Sequence, residues 1–240
     1  AVYSRSNWDL TFYENSPTID DNLDTYGFEK AECEQLLLKE WNDSNWPITI
    51  FRENRIYGPY EPWHFQYLHH RLTNNLPIFV FANSTLENTN PIFVKDVIKA
   101  FLLSVDHDVS YGKIYNLGGP NYIGQLELIK ECANILSKKA IIHEINDLDE
   151  GTIEQKGVGD LNGWHPCLNT DLVKKDLGFE PSKFSDTVTE TLDWVSTNIP
   201  TRKYKTMLEH IILDQYPPKI IGQLGSSFLD IMRRLKIKFK

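Results

Sequence analysis

The segment from Asp24 to Arg52 constrains the fold most strongly, because it joins a helix to a buried strand. Residues 26–38 have the periodicity of an amphipathic helix, with Ala31, Gln35 and Leu38 on one side and Glu32, Glu34 and Lys39 more polar. The run from Pro47 to Arg52 is rich in β-forming side chains, as in a buried parallel strand. Residues 1–3 begin like the end of another strand. The segment therefore predicts a β-α-β unit and an α/β fold.

Two side chains of this helix, Tyr26 and Lys30, form the candidate catalytic pair. Residues four positions apart lie on the same face of a helix. A free phenol ionises near pH ~10, which is too high for a base at neutral pH. An ammonium held nearby favours the phenolate and brings its proton within reach of acid–base chemistry. The same spacing also arises by accident in a chain rich in Tyr and Lys. The surrounding sequence is therefore needed to decide whether the pair is catalytic.

Helical and strand-like segments continue to alternate along the chain. Residues 4–25 are polar and interrupted by Pro17, which predicts a loop. A helix is expected to begin near Val97, with Ala100, Phe101 and Val105 on its inner side. Residues 78–81 and 140–145 are predicted to be strands, and residues 113–120 a strand followed by a turn. The other predicted helices are 63–75, 125–136, 171–177 and 185–197.

Charge and cysteine content exclude several classes of function. Residues 201–240 carry nine Lys and Arg against three Asp and Glu, whereas residues 1–200 carry sixteen against thirty. An acidic body disfavours general nucleic-acid binding, which depends on neutralising phosphates. The three cysteines are too widely spaced for a disulfide framework or a metal cluster, which suggests a cytoplasmic setting. The adjacent His69 and His70 do not converge on one metal ion, so we predict no metal site.

Six short motifs follow one another between residues 1 and 198. They are Ala1-Val2-Tyr3, Tyr26-Gly27-Phe28-Glu29-Lys30, Arg52 through Pro59, Phe93-Val94-Lys95-Asp96-Val97, Tyr115-Asn116-Leu117-Gly118-Gly119 and Leu177-Gly178-Phe179-Glu180-Pro181. In this order and spacing they resemble the extended short-chain dehydrogenase/reductase family, the NAD-dependent epimerase/dehydratases.

The resemblance implies a role for each candidate site residue. Tyr26 resembles the acid/base that exchanges a proton with a hydroxyl or keto group of the substrate. Lys30 resembles the residue that favours the phenolate and bonds the nicotinamide ribose of NAD or NADP. Asn54, Arg55, Ile56 and Tyr57 would lie beside the nicotinamide and the reacting carbon, with Arg55 and Tyr57 also contacting substrate. Arg55 could bind an anionic substrate, or it could pair with Glu53 or Glu61, and Asp96 is expected to brace its helix.

The resemblance also suggests how the chain is divided. Residues 1–60 would be the back half of a Rossmann-type parallel sheet, and residues 61–200 mainly a small α/β substrate domain with segments returning to the sheet. Residues 201–240 would be a basic, helical C-terminal extension. The Gly-rich cofactor loop and the catalytic Ser or Thr of the family are expected before Ala1, so the isolated chain is predicted to bind no NAD.

The substrate expected by family default is a nucleotide sugar, converted by epimerisation, dehydration or oxidoreduction. Family members that bind nucleotide sugars usually carry Arg where Thr89 and Gly157 stand, and loss of these guanidiniums removes bidentate anchoring. The alternative is a non-catalytic binding or assembly protein of the same fold, or an inactive fragment. The absent arginines favour this alternative, whereas Tyr26 and Lys30 favour the enzyme. The sequence is also compatible with a homodimer.

The C-terminal segment 222–240 has the pattern of a basic amphipathic helix. Ser227 and Asp230 suit its N-terminal cap. Its apolar side chains follow helical spacing, at Phe228, Met232, Leu235 and Phe239. Such a helix either packs on its own domain or docks on a partner or an anionic membrane surface, and the second case predicts a cytoplasmic protein peripheral to a membrane.

Overall fold

The computed structural model describes residues 2–4, 11–20, 25–61, 64–81, 88–120, 123–145, 167–198 and 219–221. The chain forms two compact units. The first unit contains residues 1–58, 88–122 and 165–184, and the second contains residues 59–87, 123–164 and 185–240. Each unit is therefore built from segments that are separated in the sequence.

Strands and helices alternate along the described residues. The strands are β1 (Thr11–Phe12), β2 (Thr49–Glu53), β3 (Ile56–Tyr57), β4 (Pro77–Phe81), β5 (Asn88–Thr89), β6 (Ile92–Phe93), β7 (Lys113–Leu117), β8 (Ile123–Gly124), β9 (Ala140–Ile145), β10 (Cys167–Leu168) and β11 (Lys219–Ile221). The α-helices are α1 (Thr25–Ser44), α2 (His64–Thr73), α3 (Val94–Ser104), α4 (Gln125–Ile135), α5 (Asp171–Leu177) and α6 (Phe184–Thr197).

Parallel strand pairs form the framework of the first unit. Strand β2 pairs with β7 over five residues, from Thr49 opposite Lys113 to Glu53 opposite Leu117. Two shorter pairs, β3 with β6 and β1 with β10, are also parallel. Parallel pairs need a crossover between their strands, and α3 lies in the chain between β2 and β7. The predicted α/β class is thereby confirmed.

The core of the first unit lies between this framework and helices α3 and α5. Its buried members are Ile92, Val97, Ala100, Tyr115, Leu117, Val173, Leu177 and Phe179. Helix α3 is braced by Asp96, whose carboxylate accepts hydrogen bonds from the Ser182 N–H (2.9 Å) and Oγ (2.7 Å). Asp96 therefore has the structural role that its position in the sequence suggested.

The second unit is built on a three-stranded sheet in the order β11-β9-β4. Strands β4 and β9 are parallel, and β11 joins β9 in antiparallel orientation. Helix α2 packs against β4 and α4, and α4 packs against β9. The buried apolar side chains of this unit include Leu68 and Leu72 of α2, Ile78 and Phe79 of β4, and Ile129 of α4.

The structure corrects four expectations. Residues 4–25 are not only a loop, because β1 pairs with β10 and Tyr3 forms a bridge with Thr18. Glu34 lies on the buried side of α1, not on the polar side. Phe101 and Val105 of the α3 region are exposed, not turned inward. The extension expected to be helical contains the strand Lys219–Ile221, while the helix predicted within 222–240 lies outside the described residues.

Candidate functional site

Helix α1 presents Tyr26 and Lys30 together on an exposed face. The Tyr26 side chain is 62% exposed, and the Lys30 Nζ atom lies 5.6 Å from the centre of its ring. Ala31 and Glu34 of the same helix are buried, and they fix which side of α1 faces the rest of the unit. The expected side-by-side placement of Tyr26 and Lys30 is present, with the phenol accessible to a ligand.

A buried ion pair holds α1 against strand β2. Arg52 Nη2 lies 2.6 Å from Glu34 Oε2, and Arg52 Nε also donates to the Glu34 carboxylate. The Arg52 guanidinium stacks over the Tyr3 ring at 4.8 Å and donates to the Glu14 carbonyl oxygen at 3.0 Å. These contacts fix the helix that carries Tyr26 relative to the end of β2.

Lys30 also faces the carboxyl end of β2, where Glu53 lies. Burial raises the pKa of the Glu53 carboxyl, although the positive charge of Lys30 opposes this rise. Tyr26, Lys30 and Glu53 thus form a local group of an exposed phenol, an ammonium and a partly buried carboxyl. Ligands of α/β proteins bind at the carboxyl ends of parallel strands, which is the end where this group lies.

The four residues that follow β2 differ in how accessible they are. Asn54 and Tyr57 are buried, at 7% and 3% exposure, whereas Ile56 is 44% exposed and Arg55 is half-buried. The Asn54 side chain donates to Asn90 Oδ1 (2.6 Å) and accepts from the Arg55 N–H (2.7 Å). Tyr57 packs on Phe93, with ring centres 5.7 Å apart. Ile56 is therefore the most exposed side chain of this segment, followed by Arg55.

Two residues important for this arrangement were missed from the sequence, namely Glu34 and Asn90. Glu34 follows the polar pattern of α1, and nothing in that pattern marks it as the partner of Arg52. Asn90 lies in a polar run that looks like an ordinary loop. Only the fold brings each of them to its buried partner.

Neither a metal-binding cluster nor a membrane-spanning helix is present in the described part of the chain. No group of three or more His, Cys, Asp or Glu side chains there could hold a metal ion. None of the helices described has the length and apolar character needed to cross a membrane. The site of Gly157, where the family expectation places an arginine, lies outside the described residues.

The parallel strand pairs and the connecting helices define an α/β protein with a Rossmann-type sheet. The fold is shared with the UDP-glucuronic acid 4-epimerase of Bacillus cereus, whose crystal structure contains UDP-glucuronic acid and NAD. The TM-score is 0.64 at 19% identity, and the match covers 82% of this chain and 59% of the epimerase. Residues 2–118 match the model of the NAD dependent epimerase/dehydratase family. This match confirms the resemblance over this part of the chain.

Two curated relatives show the range of proteins that this chain resembles. The dTDP-D-glucose 4,6-dehydratase of Bos taurus is 24% identical over 197 residues, which cover 79% of this chain and 52% of the relative. The chloroplast stem-loop binding protein of 41 kDa b from Arabidopsis thaliana is 32% identical over 170 residues, covering 68% of this chain and 42% of the relative. The chain spans about half the length of the curated relatives it matches.

Proposed function

We propose that this chain is part of an NAD-dependent enzyme of the epimerase/dehydratase type, with Tyr26 as its acid/base. The observation that carries the proposal is that the Tyr26 phenol is exposed and that Lys30 Nζ lies 5.6 Å from the centre of the Tyr26 ring. The pair lies inside the span that matches the family model. An exposed phenol beside a positive charge can give up and recover a proton at a substrate oxygen.

The residues on this face of α1 fit a nicotinamide cofactor. The Tyr26 hydroxyl and the Lys30 ammonium are both exposed hydrogen-bond donors, as a ribose hydroxyl requires. NAD, when bound, supplies the acceptor for a hydride from the substrate carbon. Lys30 would stabilise Tyr26 as the phenolate and hold the ribose, and the phenolate would then take the proton of the substrate hydroxyl and become a neutral phenol.

A nucleotide sugar is the substrate class that the relatives support. The dehydratase of Bos taurus is named for dTDP-D-glucose, and the epimerase of Bacillus cereus contains UDP-glucuronic acid. In this chain the half-buried Arg55 is the candidate contact for an anionic group of such a substrate. Thr89 occupies one position where an arginine is expected, so we propose that nucleotide anchoring depends on Arg55 more than in other family members.

The test uses the full-length protein with NAD and two probes, dTDP-glucose and UDP-glucuronic acid. Products are separated by ion-exchange chromatography, and their masses are measured by mass spectrometry. A product lighter than the substrate by one water indicates dehydration, whereas an epimer has the mass of the substrate. We expect turnover of at least one probe and a loss of that turnover in Lys30→Met. Lys39→Met is the matched control, because Lys39 is an exposed lysine of the same helix that pairs with Asp43. Wild-type turnover of neither sugar would overturn the proposal.

A second candidate function is binding without catalysis. The similarity to a protein named for stem-loop binding favours it, and so does the burial of the Asn54 and Tyr57 side chains in the segment expected beside the cofactor. The negative charge of residues 1–200 argues against it. The two functions are distinguished by a gel-shift assay with a stem-loop RNA. The enzyme proposal predicts no specific complex, whereas the binding function requires a protein–RNA complex that persists at moderate salt concentration.

A further inference from the structure

Asn90 lies at a junction of chain segments in the first unit. Its side-chain oxygen accepts hydrogen bonds from Asn54 Nδ2 (2.6 Å) and from the Leu168 N–H (2.9 Å). Its side-chain nitrogen donates to the Leu168 carbonyl oxygen at 2.8 Å. Because Leu168 supplies one donor and one acceptor, a single orientation of the Asn90 amide satisfies all three bonds.

The surroundings of Asn90 leave this amide no alternative position. Asn90 is 3% exposed, and its own carbonyl oxygen accepts a hydrogen bond from the Gly119 N–H at 2.9 Å. A Cβ atom on Gly118 would lie 2.2 Å from Asn90 Nδ2, so the glycine provides the space that the amide fills. A buried amide with its bonds made and its space fully occupied is a rigid attachment point.

The hydrogen bond between Asn90 and Asn54 also restrains segment 54–57. Asn54 Oδ1 accepts from the Arg55 N–H, and the Arg55 carbonyl oxygen accepts from the Ile92 N–H at 2.9 Å. Ile56 and Tyr57 then pair with Ile92 and Phe93 in the β3–β6 ladder. The whole segment is thus bonded to the chain next to Asn90.

We propose that Asn90 is a positioning residue, which acts through Asn54 to fix segment 54–57 at the carboxyl end of β2. The inference rests on the proposed function, since this segment is the one expected beside the reacting carbon. Asn90 itself is buried, so its effect is on where Arg55 and Ile56 lie. Displacing such a segment by about 1 Å can lower a rate by ~10²-fold without changing the chemical groups.

Three variants of the full-length protein separate positioning from general stability. Asn90→Ala removes all three side-chain bonds, whereas Asn90→Asp keeps the acceptors for Asn54 and the Leu168 N–H. Asp96→Asn is the control, because it weakens another buried polar contact of the same unit, that with Ser182. For each variant, kcat and KM are measured with NAD and either dTDP-glucose or UDP-glucuronic acid, and kcat is calculated from the concentration of folded protein.

Positioning predicts a ~10- to 100-fold lower kcat for Asn90→Ala, a higher KM because Arg55 moves with the segment, and partial recovery of both in Asn90→Asp. Asp96→Asn should lose stability and keep its kcat. Hydrogen exchange should be faster in a peptide spanning residues 54–57 in Asn90→Ala, and unchanged there in Asp96→Asn.

Two results would overturn the inference: a wild-type kcat in Asn90→Ala, or an equal loss of kcat in Asp96→Asn. If the wild-type protein converts neither sugar, the proposed function fails, and the exchange measurement alone decides whether Asn90 fixes segment 54–57. Unchanged exchange in that segment would then reject the positioning role as well.

Discussion

Arg52 of strand β2 donates two hydrogen bonds to the Glu34 carboxylate of helix α1, through Nε at 3.0 Å and Nη2 at 2.6 Å. Both side chains are largely buried, with 7% of Arg52 and 12% of Glu34 exposed. Because α1 carries Tyr26 and β2 leads to segment 54–57, this pair sets the distance between the two parts of the candidate site. The stability of the pair and the geometry of the site are therefore linked.

Removing the charge of Glu34 should strongly destabilise the protein. In Glu34→Gln the buried Arg52 charge loses its partner, and loss of one member of a buried pair typically costs ~3–5 kcal/mol. The free energy of unfolding is measured by urea denaturation.

Asp43→Asn is the matched control, because Asp43 forms an ion pair with Lys39 four residues away on the exposed side of the same helix. Such a pair contributes at most ~0.5 kcal/mol. Equal losses in the two variants would show that the Glu34–Arg52 pair does not hold α1.

Asp176 should make stability depend on pH in the acid range. The hydrogen bond from Lys113, with Nζ 2.6 Å from Oδ2, lowers the pKa of the Asp176 carboxyl below its usual value of 3.8. The unfolded chain therefore binds a proton more readily near pH 3.8, and stability rises with pH there.

The difference in unfolding free energy between wild type and Asp176→Asn should consequently be largest at neutral pH. It should shrink as the pH falls through the folded-state pKa of Asp176. Urea denaturation at a series of pH values from neutral to acid measures it. A difference that stays constant over this range would contradict the assigned ion pair.

The elements with strong periodicity could be predicted from the sequence, and the polar contacts between them could not. Strand 140–145 and helix 171–177 have the predicted bounds, and strand 113–117 lies within the segment 113–120 predicted as strand then turn. Strand β1 was missed because two residues carry no periodicity, and its partner β10 lies more than 150 residues away. Glu34 and Asn90 look like exposed polar residues in the sequence, since a buried polar side chain is recognised only by the partner that the fold supplies.

Two glycines with positive φ should differ in how well they tolerate alanine. Gly112 (φ 71°) and Gly178 (φ 62°) both have a backbone that costs an alanine ~1–2 kcal/mol. A Cβ on Gly112 would also lie 2.1 Å from Trp41 Nε1, whereas nothing lies within 4 Å of one on Gly178. Gly112→Ala should therefore lose ~1–3 kcal/mol more in urea denaturation. Equal losses would mean that Trp41 moves aside without cost.

The cysteines should differ in reactivity. Cys33 is exposed, whereas Cys132 and Cys167 are buried. Burial raises the pKa of the Cys167 thiol to about 11 and that of Cys132 further, so neither forms much thiolate near neutral pH. A maleimide added to the native protein should label Cys33 alone, as mapped by peptide mass spectrometry, and denaturant should expose the other two. Rapid native labelling of Cys132 would contradict its burial.

The central claim, that Tyr26 is the acid/base, is tested most directly by kcat of the full-length Tyr26→Phe protein with NAD and a nucleotide sugar. The control is Tyr13→Phe, which removes the hydroxyl of another exposed tyrosine of the first unit. Loss of a general acid/base predicts a kcat ~10²- to 10⁴-fold lower in Tyr26→Phe and unchanged in Tyr13→Phe. A folded Tyr26→Phe protein that turns over at the wild-type rate would contradict the claim.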